Sequence, residues 1–250
     1  MSVFILQIIA MITMFCDHFA IAFLDNDIAL RSIGRFAYPI YAFLLAEGFR
    51  HIKGDNSRIT SHLGWYIVLA VISEPGYDLL EAKSASVADM MATQNVIFTL
   101  LLGFLGLLAI ERFKNDPLFK YSTILLTAMA NFFLLSNFKF VGVLLIYAFY
   151  FYLENNTNKS YFKRLSWLLI IFAFYIPLYH WTRYNFCSPA IFIEKLNADN
   201  ILWYITHIFI ACLLATYVGK LGFYNKKFKS FYKFFYPAHL LVLGSLKRIL

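Results

Sequence analysis

The chain has 250 residues, of which 61% are hydrophobic and only 14% are charged. A typical soluble domain has about 25% charged residues, so this chain lacks the polar side chains needed to cover a water-facing surface. Its formal charge of +8 at pH 7 fits basic loops beside lipid headgroups better than nucleic-acid binding.

Apolar segments long enough to cross a hydrocarbon core of about 30 Å recur along the whole chain, without the period-two alternation of barrel strands. They predict a single all-α domain over residues 1–250, a polytopic transmembrane bundle of about nine spans (eight to ten). The predicted spans are 3–24, 34–52, 59–79, 94–113, 118–136, 140–153, 164–181, 201–219 and 231–249. Pro75 and Gly76 are expected to end the third span. Lys233 and Pro237 interrupt the last one, which leaves a re-entrant tail as an alternative.

The N-terminus is predicted to be cytoplasmic. This orientation places 14 of the 22 Lys and Arg residues in inner loops, as the positive-inside rule requires. The first 24 residues lack a basic n-region, so we expect no cleavable signal peptide. The three cysteines show no C-x-x-C spacing, so neither a zinc site nor a disulfide framework is predicted.

Several polar side chains fall at membrane depth, where a charge costs about 2.5–3.5 kcal/mol at the bilayer centre. By helical rise, most of them lie in the outer half of their spans and are expected to face one cavity. They are Asp17, His18, Arg35, Glu74, Asp78, Gln94, Asn95 and His239. By contrast, Glu47 with Arg50 and His51 marks the inner end of the second span.

Each of these residues also has a structural interpretation. Arg35 with Asp17 or Glu74 is a candidate ion pair between helices, and Gln94 with Asn95 a candidate interhelical or helix-capping amide pair. His18 is harder to explain in this way. Because sequence neighbours point about 100° apart on a helix, its orienting group need not be Asp17.

A buried neutral histidine can act as a general base near pH 7, which suits acyl transfer from a thioester to an amine or hydroxyl. Arg35, Gln94 or Asn95 is a candidate to stabilise the oxyanion. The same cluster suits a proton relay in a proton-coupled transporter or flippase, and a scaffold without activity is a third alternative. No metal site is predicted, because the histidines lack paired spacing.

Five segments in chain order form a specific pattern. They are ITMFCDH at 12–18, IGRFAYPIYAFLLAEGF at 33–49, SEP at 73–75 with Asp78, QNVIFTLLLG at 94–103 and FYPAHL at 235–240. In this order they resemble the TraX family of bacterial membrane proteins. The sequence NFKFVG at 137–142 departs from the family's DYG-x-x-G pattern, and residues 154–231 match poorly, which bears on acceptor specificity more than on the reaction.

The resemblance implies a transmembrane acyltransferase of the bacterial inner membrane, with acetyl-CoA as donor and a pilin, peptide or glycan as acceptor. It implies His18 as the catalytic base with Asp17 as its partner. The other residues of the outer cluster would form the substrate pocket. CoA is expected to dock at the basic inner face, at Arg50, Lys53 and Arg58, with its acyl arm reaching outward.

Overall fold

The computed structural model describes residues 2–81, 93–134, 138–156, 159–183, 198–217 and 226–249, which form ten α-helices. The helices are α1 (Val3–Phe23), α2 (Ile28–Gly34), α3 (Ala37–Ile52), α4 (Asn56–Glu81), α5 (Val96–Arg112), α6 (Pro117–Phe133), α7 (Lys139–Asn156), α8 (Tyr161–Arg183), α9 (Ala198–Ala215) and α10 (Lys226–Ile249). The prediction of an all-α fold is confirmed for this part of the chain.

Short polar side chains begin several of the helices by accepting a hydrogen bond from a free backbone N–H. Asp27 Oδ1 accepts from Leu30 N–H at 2.9 Å at the start of α2, and Asp116 Oδ1 accepts from Phe119 N–H at 3.2 Å at the start of α6. Pro117 occupies the first turn of α6, where its missing N–H has no helical partner to lose. The helix starts are therefore set by local sequence.

Three prolines lie inside described helices rather than at their ends: Pro75 in α4, Pro177 in α8 and Pro237 in α10. Helix α4 continues through Pro75 to Glu81, so the prediction that Pro75 and Gly76 end this helix is wrong. Helix α10 continues through Pro237 and is 24 residues long. Packing between α4 and α10 stabilises the turns of both helices that follow Pro75 and Pro237. The side chain of Lys247 in α10 also satisfies a carbonyl in the last turn of α4, because its Nζ donates to Leu80 O at 2.7 Å.

The contact between α4 and α10 depends on two glycines. A Cβ atom added at Gly76 would lie 2.8 Å from the backbone nitrogen of Leu241, and one added at Gly244 would lie 2.8 Å from Leu79 Cβ. Both distances are shorter than real Cβ contacts. Small residues that allow such close backbone approach are typical of helix pairs in membranes.

Contacts across the bundle define two ends, which we call the His18 end and the Glu47 end. Helices α1 and α10 run in the same direction, because Phe4 packs on Phe228 at 4.7 Å while His18 contacts His239 further along both helices. Helix α4 runs in the same direction, since Lys233 lies over the Trp65 ring while Leu241, further along α10, meets Gly76, further along α4.

The remaining helices alternate in direction as the predicted topology requires. The last turns of α3, α5 and α7 meet at the Glu47 end, where Lys53 Nζ contacts Glu111 at 3.5 Å and Glu154 at 3.1 Å. The start of α8 meets the chain after α9 at the same end, because Arg164 Nη1 donates to the Tyr217 carbonyl at 2.7 Å. At the His18 end, Lys139 Nζ donates to Thr182 O at 2.9 Å.

Helix α3 forms the centre of the bundle, and most of its residues are buried. Its Phe43 packs edge-to-face on Phe149 of α7 at 5.6 Å and on Tyr217 at 5.3 Å, while Phe49 packs on Phe104 of α5 at 5.7 Å. Edge-to-face aromatic contacts add to the stabilisation from burial. Aromatic contacts of α3 therefore join it to α5 and α7 in the core that positions the site.

Large apolar side chains also cover the outside of the bundle. Examples with at least 70% of their surface exposed are Leu118, Phe133, Phe162 and Phe174. Exposed apolar area on this scale is unfavourable in water. Two of the described helices, Val3–Phe23 and Tyr161–Thr182, are long and apolar enough to cross a membrane. These features indicate a membrane protein, and the nine crossings stay a prediction.

Candidate functional site

His18 contacts His239, which lies 221 residues away in the sequence. His18 Nδ1 and His239 Nε2 are 2.7 Å apart, and the two rings stack with centroids 4.9 Å apart. Both side chains are buried, with 7% and 6% of their surface exposed. The first and last helices of the chain thus each contribute one imidazole to a single pair.

The hydrogen bonds of this pair fix the tautomer of each ring. His239 Nδ1 lies 2.7 Å from the carbonyl oxygen of Phe235, and a carbonyl can only accept, so this nitrogen carries a proton. In a neutral ring, Nε2 of His239 must then accept, which makes Nδ1 of His18 the donor. The proton-accepting lone pair of His18 is therefore on Nε2. His239 orients the ring of His18 by this hydrogen bond, as a carboxylate does in many other histidine sites.

Asp17 pairs with Arg31 rather than with His18. The distance from Arg31 Nη1 to Asp17 Oδ1 is 3.3 Å, and the Asp17 side chain occupies the space where a Cβ at Gly34 would lie. Asp17 does not pair with His18 because successive residues of a helix point in different directions around its axis. Glu81 belongs to the same charged region, where burial raises the pKa of its carboxyl while the charge of Arg31 opposes this shift.

A cavity of about 360 Å³ runs along the inside of the bundle from the His18 end toward the Glu47 end. His18, Asp17 and Arg35 line one end, and His51, His62 and Val3 line the other. Between Val3 and His18, helix α1 rises by about 22 Å at 1.5 Å per residue. The cavity therefore joins His18 to the opposite end of the bundle.

The side chain of Asn95 joins α4 and α5 through hydrogen bonds. Asn95 Oδ1 caps α5 by accepting from Ile97 N–H at 2.9 Å, and its Nδ2 donates to the Ala70 carbonyl at 2.9 Å and to Glu74 Oε2. Asn95 therefore makes both the interhelical and the helix-capping interactions that the sequence analysis offers as structural alternatives. Glu74, Asp78, Gln94 and Asn95 are not among the residues that line the cavity, so the structure does not bring them to His18.

Sequence reasoning missed most of a charged network at the Glu47 end. Glu47 is 3% exposed and accepts hydrogen bonds from Arg50 Nη1 at 2.8 Å and Tyr217 Oη at 2.7 Å, with His51 Nε2 at 3.0 Å. The i+3 and i+4 spacing of Arg50 and His51 from Glu47 was a signal for part of it. The partners from other helices had no sequence signal.

The same network engages two residues predicted to dock CoA. Arg50 Nε donates to Glu154 Oε1 at 2.9 Å, and Lys53 Nζ contacts Glu111, Glu154 and the Tyr150 hydroxyl. Arg58 Nη1 donates to the His51 carbonyl at 3.4 Å. Carboxylates therefore offset the charges of Arg50 and Lys53, which weakens the argument that they bind an anionic ligand.

Two further buried histidines lie away from the cavity lining. His180 of α8 and His207 of α9 are 0% and 2% exposed, and His207 packs on Phe172 and Tyr175. Within the described ranges, no group of three or more His, Cys, Asp and Glu side chains is arranged to hold a metal ion.

Comparison with known proteins gives one family and one relative. The family described as TraX protein matches residues 2–247, which includes the region 154–231 where the motifs are weak. The chain is 36% identical over 115 residues to the "Probable fimbrial assembly protein FimC, serogroup H1" of Dichelobacter nodosus. This match covers 43% of the chain and 46% of that relative, so it spans under half of the relative's length. No solved structure matches.

Proposed function

Because the chain belongs to the TraX family, we propose that it is a membrane-embedded acetyltransferase that takes part in pilus or fimbrial assembly. It transfers an acetyl group from acetyl-CoA to an amine or hydroxyl of a pilin, peptide or glycan. The observation that carries this proposal is the His18–His239 pair, in which two consecutive hydrogen bonds leave Nε2 of His18 as the proton acceptor.

We place the protein in the bacterial inner membrane with nine crossings and a cytoplasmic N-terminus. The alternating helix directions support this arrangement, because each interhelical contact described above joins ends that the predicted topology puts on the same side. Apolar side chains on the outer surfaces of α6 and α8 would face lipid. The Glu47 end is then cytoplasmic, and the His18 end lies toward the outer face.

The cavity supports the use of a donor with a long arm. An extended phosphopantetheine spans roughly 15–20 Å by standard bond lengths, which is comparable with the rise of about 22 Å from Val3 to His18. A donor entering at the Glu47 end would bring its thioester to His18 and Arg35, which line the far end. The acceptor then meets the acetyl group from the other side of the membrane.

In the reaction, the acceptor nitrogen or oxygen attacks the thioester carbonyl while Nε2 of His18 takes its proton. A new C–N or C–O bond forms, the C–S bond breaks, and the proton passes from His18 to the departing CoA thiolate. Arg35 is the candidate to stabilise the oxyanion of the tetrahedral intermediate. His239 stabilises the protonated ring of His18 by accepting from its Nδ1–H. Asp17 holds Arg31 in this design rather than His18.

The test compares His18→Asn with His18→Ala. Asparagine places an N–H near the position of Nδ1, so it keeps the bond to His239 while removing Nε2. We expect both variants to fold and to lose acetyl transfer by a factor on the order of 10²–10⁴, measured by mass spectrometry of pilus proteins and surface glycans from cells that carry each variant.

Full acetylation by His18→Asn would exclude Nε2 as the base.

A second measurement separates the enzyme from a proton-coupled transporter or flippase. Acetyl-CoA at 100 times its dissociation constant should stabilise the purified protein by about 2.7 kcal/mol, and no stabilisation at millimolar concentration would favour transport.

A further inference from the structure

A groove separate from the main cavity lies between α1 and α10, which we call the α1–α10 groove. It has a volume of about 340 Å³, and its lining side chains, from residues 8–15 and 228–235, are all apolar. We propose that this groove binds an acyl chain of an anionic phospholipid of the inner leaflet, and that the bound chain supports the histidine pair. Lipid binding does not depend on acetyl transfer, whereas the effect on the pair rests on the proposed function.

The exposure of its lining residues shows that the groove opens to the outside of the bundle. Ile12 of α1 and Phe231 of α10 are 58% and 57% exposed, whereas Met11 is 6% exposed. The groove therefore has a buried floor and exposed rims. Because apolar side chains on the outer surface of a membrane protein face lipid tails, the groove is accessible to an acyl chain.

The dimensions of the groove favour a single acyl chain over a partner helix. The stretch 8–15 rises by about 10 Å, and an α-helix of that length, about 10 Å wide, fills roughly 800 Å³. The groove holds less than half of this volume. It extends from about 8 to 18 Å beyond Val3 along α1, which is the depth of the chains of one leaflet in a core of about 30 Å. An acyl chain spans the groove with about eight methylene groups.

The charge at the start of α10 favours an anionic headgroup. The first turn of this helix carries Lys226, Lys227 and Lys229 and no acidic residue, and the stretch 201–250 contains no Asp or Glu. Cations at a helix N-terminus add to the positive end of the macrodipole. Phe228, at one end of the groove, lies in the same turn. With the Glu47 end cytoplasmic, this turn lies at the inner leaflet, where anionic headgroups attract basic residues.

Two residues connect the groove to the histidine pair. Phe235 lines the groove and stacks on the ring of His239 with centroids 4.8 Å apart, and its carbonyl accepts from Nδ1 of that ring. Phe15 also lines the groove, with its centroid 6.4 Å from the same ring. A chain in the groove would pack against both phenylalanines, and so restrict the movement of His239 against His18. None of the described residues lines both the groove and the cavity, so lipid and donor have different sites.

The experiment measures lipid binding by the full-length protein in detergent, without donor or acceptor. Native mass spectrometry gives dissociation constants for phosphatidylglycerol and for phosphatidylcholine with the same acyl chains. Ile12→Trp places a larger side chain in the groove. The matched control is Val242→Trp, because Val242 of α10 is 56% exposed and does not line the groove.

Ile12→Trp should weaken phosphatidylglycerol binding on the order of tenfold, because the indole competes with the chain for space. Val242→Trp should bind this lipid as the wild type does. Replacing Lys226, Lys227 and Lys229 together by Gln should lower the preference for phosphatidylglycerol over phosphatidylcholine about fivefold or more. Acetyl transfer by the wild type should rise severalfold with phosphatidylglycerol, whereas transfer by Ile12→Trp should not depend on this lipid.

Three outcomes would overturn the lipid site. The first is an equal loss of lipid in Ile12→Trp and Val242→Trp. The second is wild-type protein that binds the two lipids with equal affinity. The third is release of a copurifying protein by Ile12→Trp with phosphatidylglycerol still bound as in the wild type, which assigns the groove to a partner helix.

The link to the histidine pair has its own test. Wild-type transfer that is independent of phosphatidylglycerol would exclude support of the pair by lipid. The expected lipid binding in a protein without any acetyl transfer would keep the lipid site and reject the transferase.

Discussion

The substitution Gly76→Ala should separate α10 from α4 and disturb the histidine pair. The new Cβ would lie 2.8 Å from the backbone nitrogen of Leu241, and ordinary contact begins at 3.4 Å, so α10 has to move by about 0.6 Å. Such a shift would lengthen the contact of 2.7 Å between His18 and His239 to as much as about 3.3 Å, at the long end of hydrogen-bond distances, and so weaken it. Overpacking of this kind costs about 1–3 kcal/mol.

The matched control for this substitution is Gly64→Ala in the same helix. A Cβ at Gly64 meets nothing within 4 Å, and both variants gain the same helix propensity, so the difference between them isolates the packing term. For an overpacking cost of about 2 kcal/mol, the melting temperature of Gly76→Ala in detergent should be about 4–8 °C below that of Gly64→Ala. Acetyl transfer should fall only in Gly76→Ala. Equal melting temperatures and equal activities would refute the close contact of α4 with α10.

Two further substitutions test the site. His239→Ala should lower kcat on the order of 10²-fold with little change in the KM for acetyl-CoA, because His18 loses the group that fixes its tautomer. His239→Gln should recover part of the loss, since its amide oxygen can accept from Nδ1 of His18, and a purely structural role would show no such rescue. Asn95→Ala should lower the free energy of unfolding by about 1–2 kcal/mol, through loss of the cap and of the bond to Ala70, with unchanged acetyl-CoA affinity. Asn95→Ser, which keeps a capping oxygen, should lose less, and a large loss of affinity in either variant would return Asn95 to the binding site.

Local sequence predicted the helices well because their boundaries depend on local signals. Apolar length and capping side chains such as Asp116 are visible in the sequence, and the predicted spans agree with most of the helices. The prediction at Pro75 was wrong because the continuation of α4 depends on residues of α10 such as Lys247, which is 167 residues from its partner Leu80. Contacts of this kind leave no trace in a local window.

The site was predictable in its residue types more than in its pairings. His18 and His239 were both selected, because an imidazole in an apolar helix needs a reason to be there. Their direct contact was not predicted, because it depends on how α1 packs against α10. The contacts of Glu47 with Arg50 and His51 are predictable from helical spacing. Its hydrogen bond with Tyr217 is not, because it also depends on how separate parts of the chain pack together.

The contact between His18 and His239 also has a consequence for biosynthesis. Ribosomes add about 5–20 residues per second, so the 221 residues between these histidines require roughly 10–45 s of translation. During that interval, the imidazole of His18 lacks its eventual neighbour. A nascent or prematurely terminated polypeptide consequently lacks the histidine pair, and the proposed transfer chemistry would begin only once α10 has been synthesised.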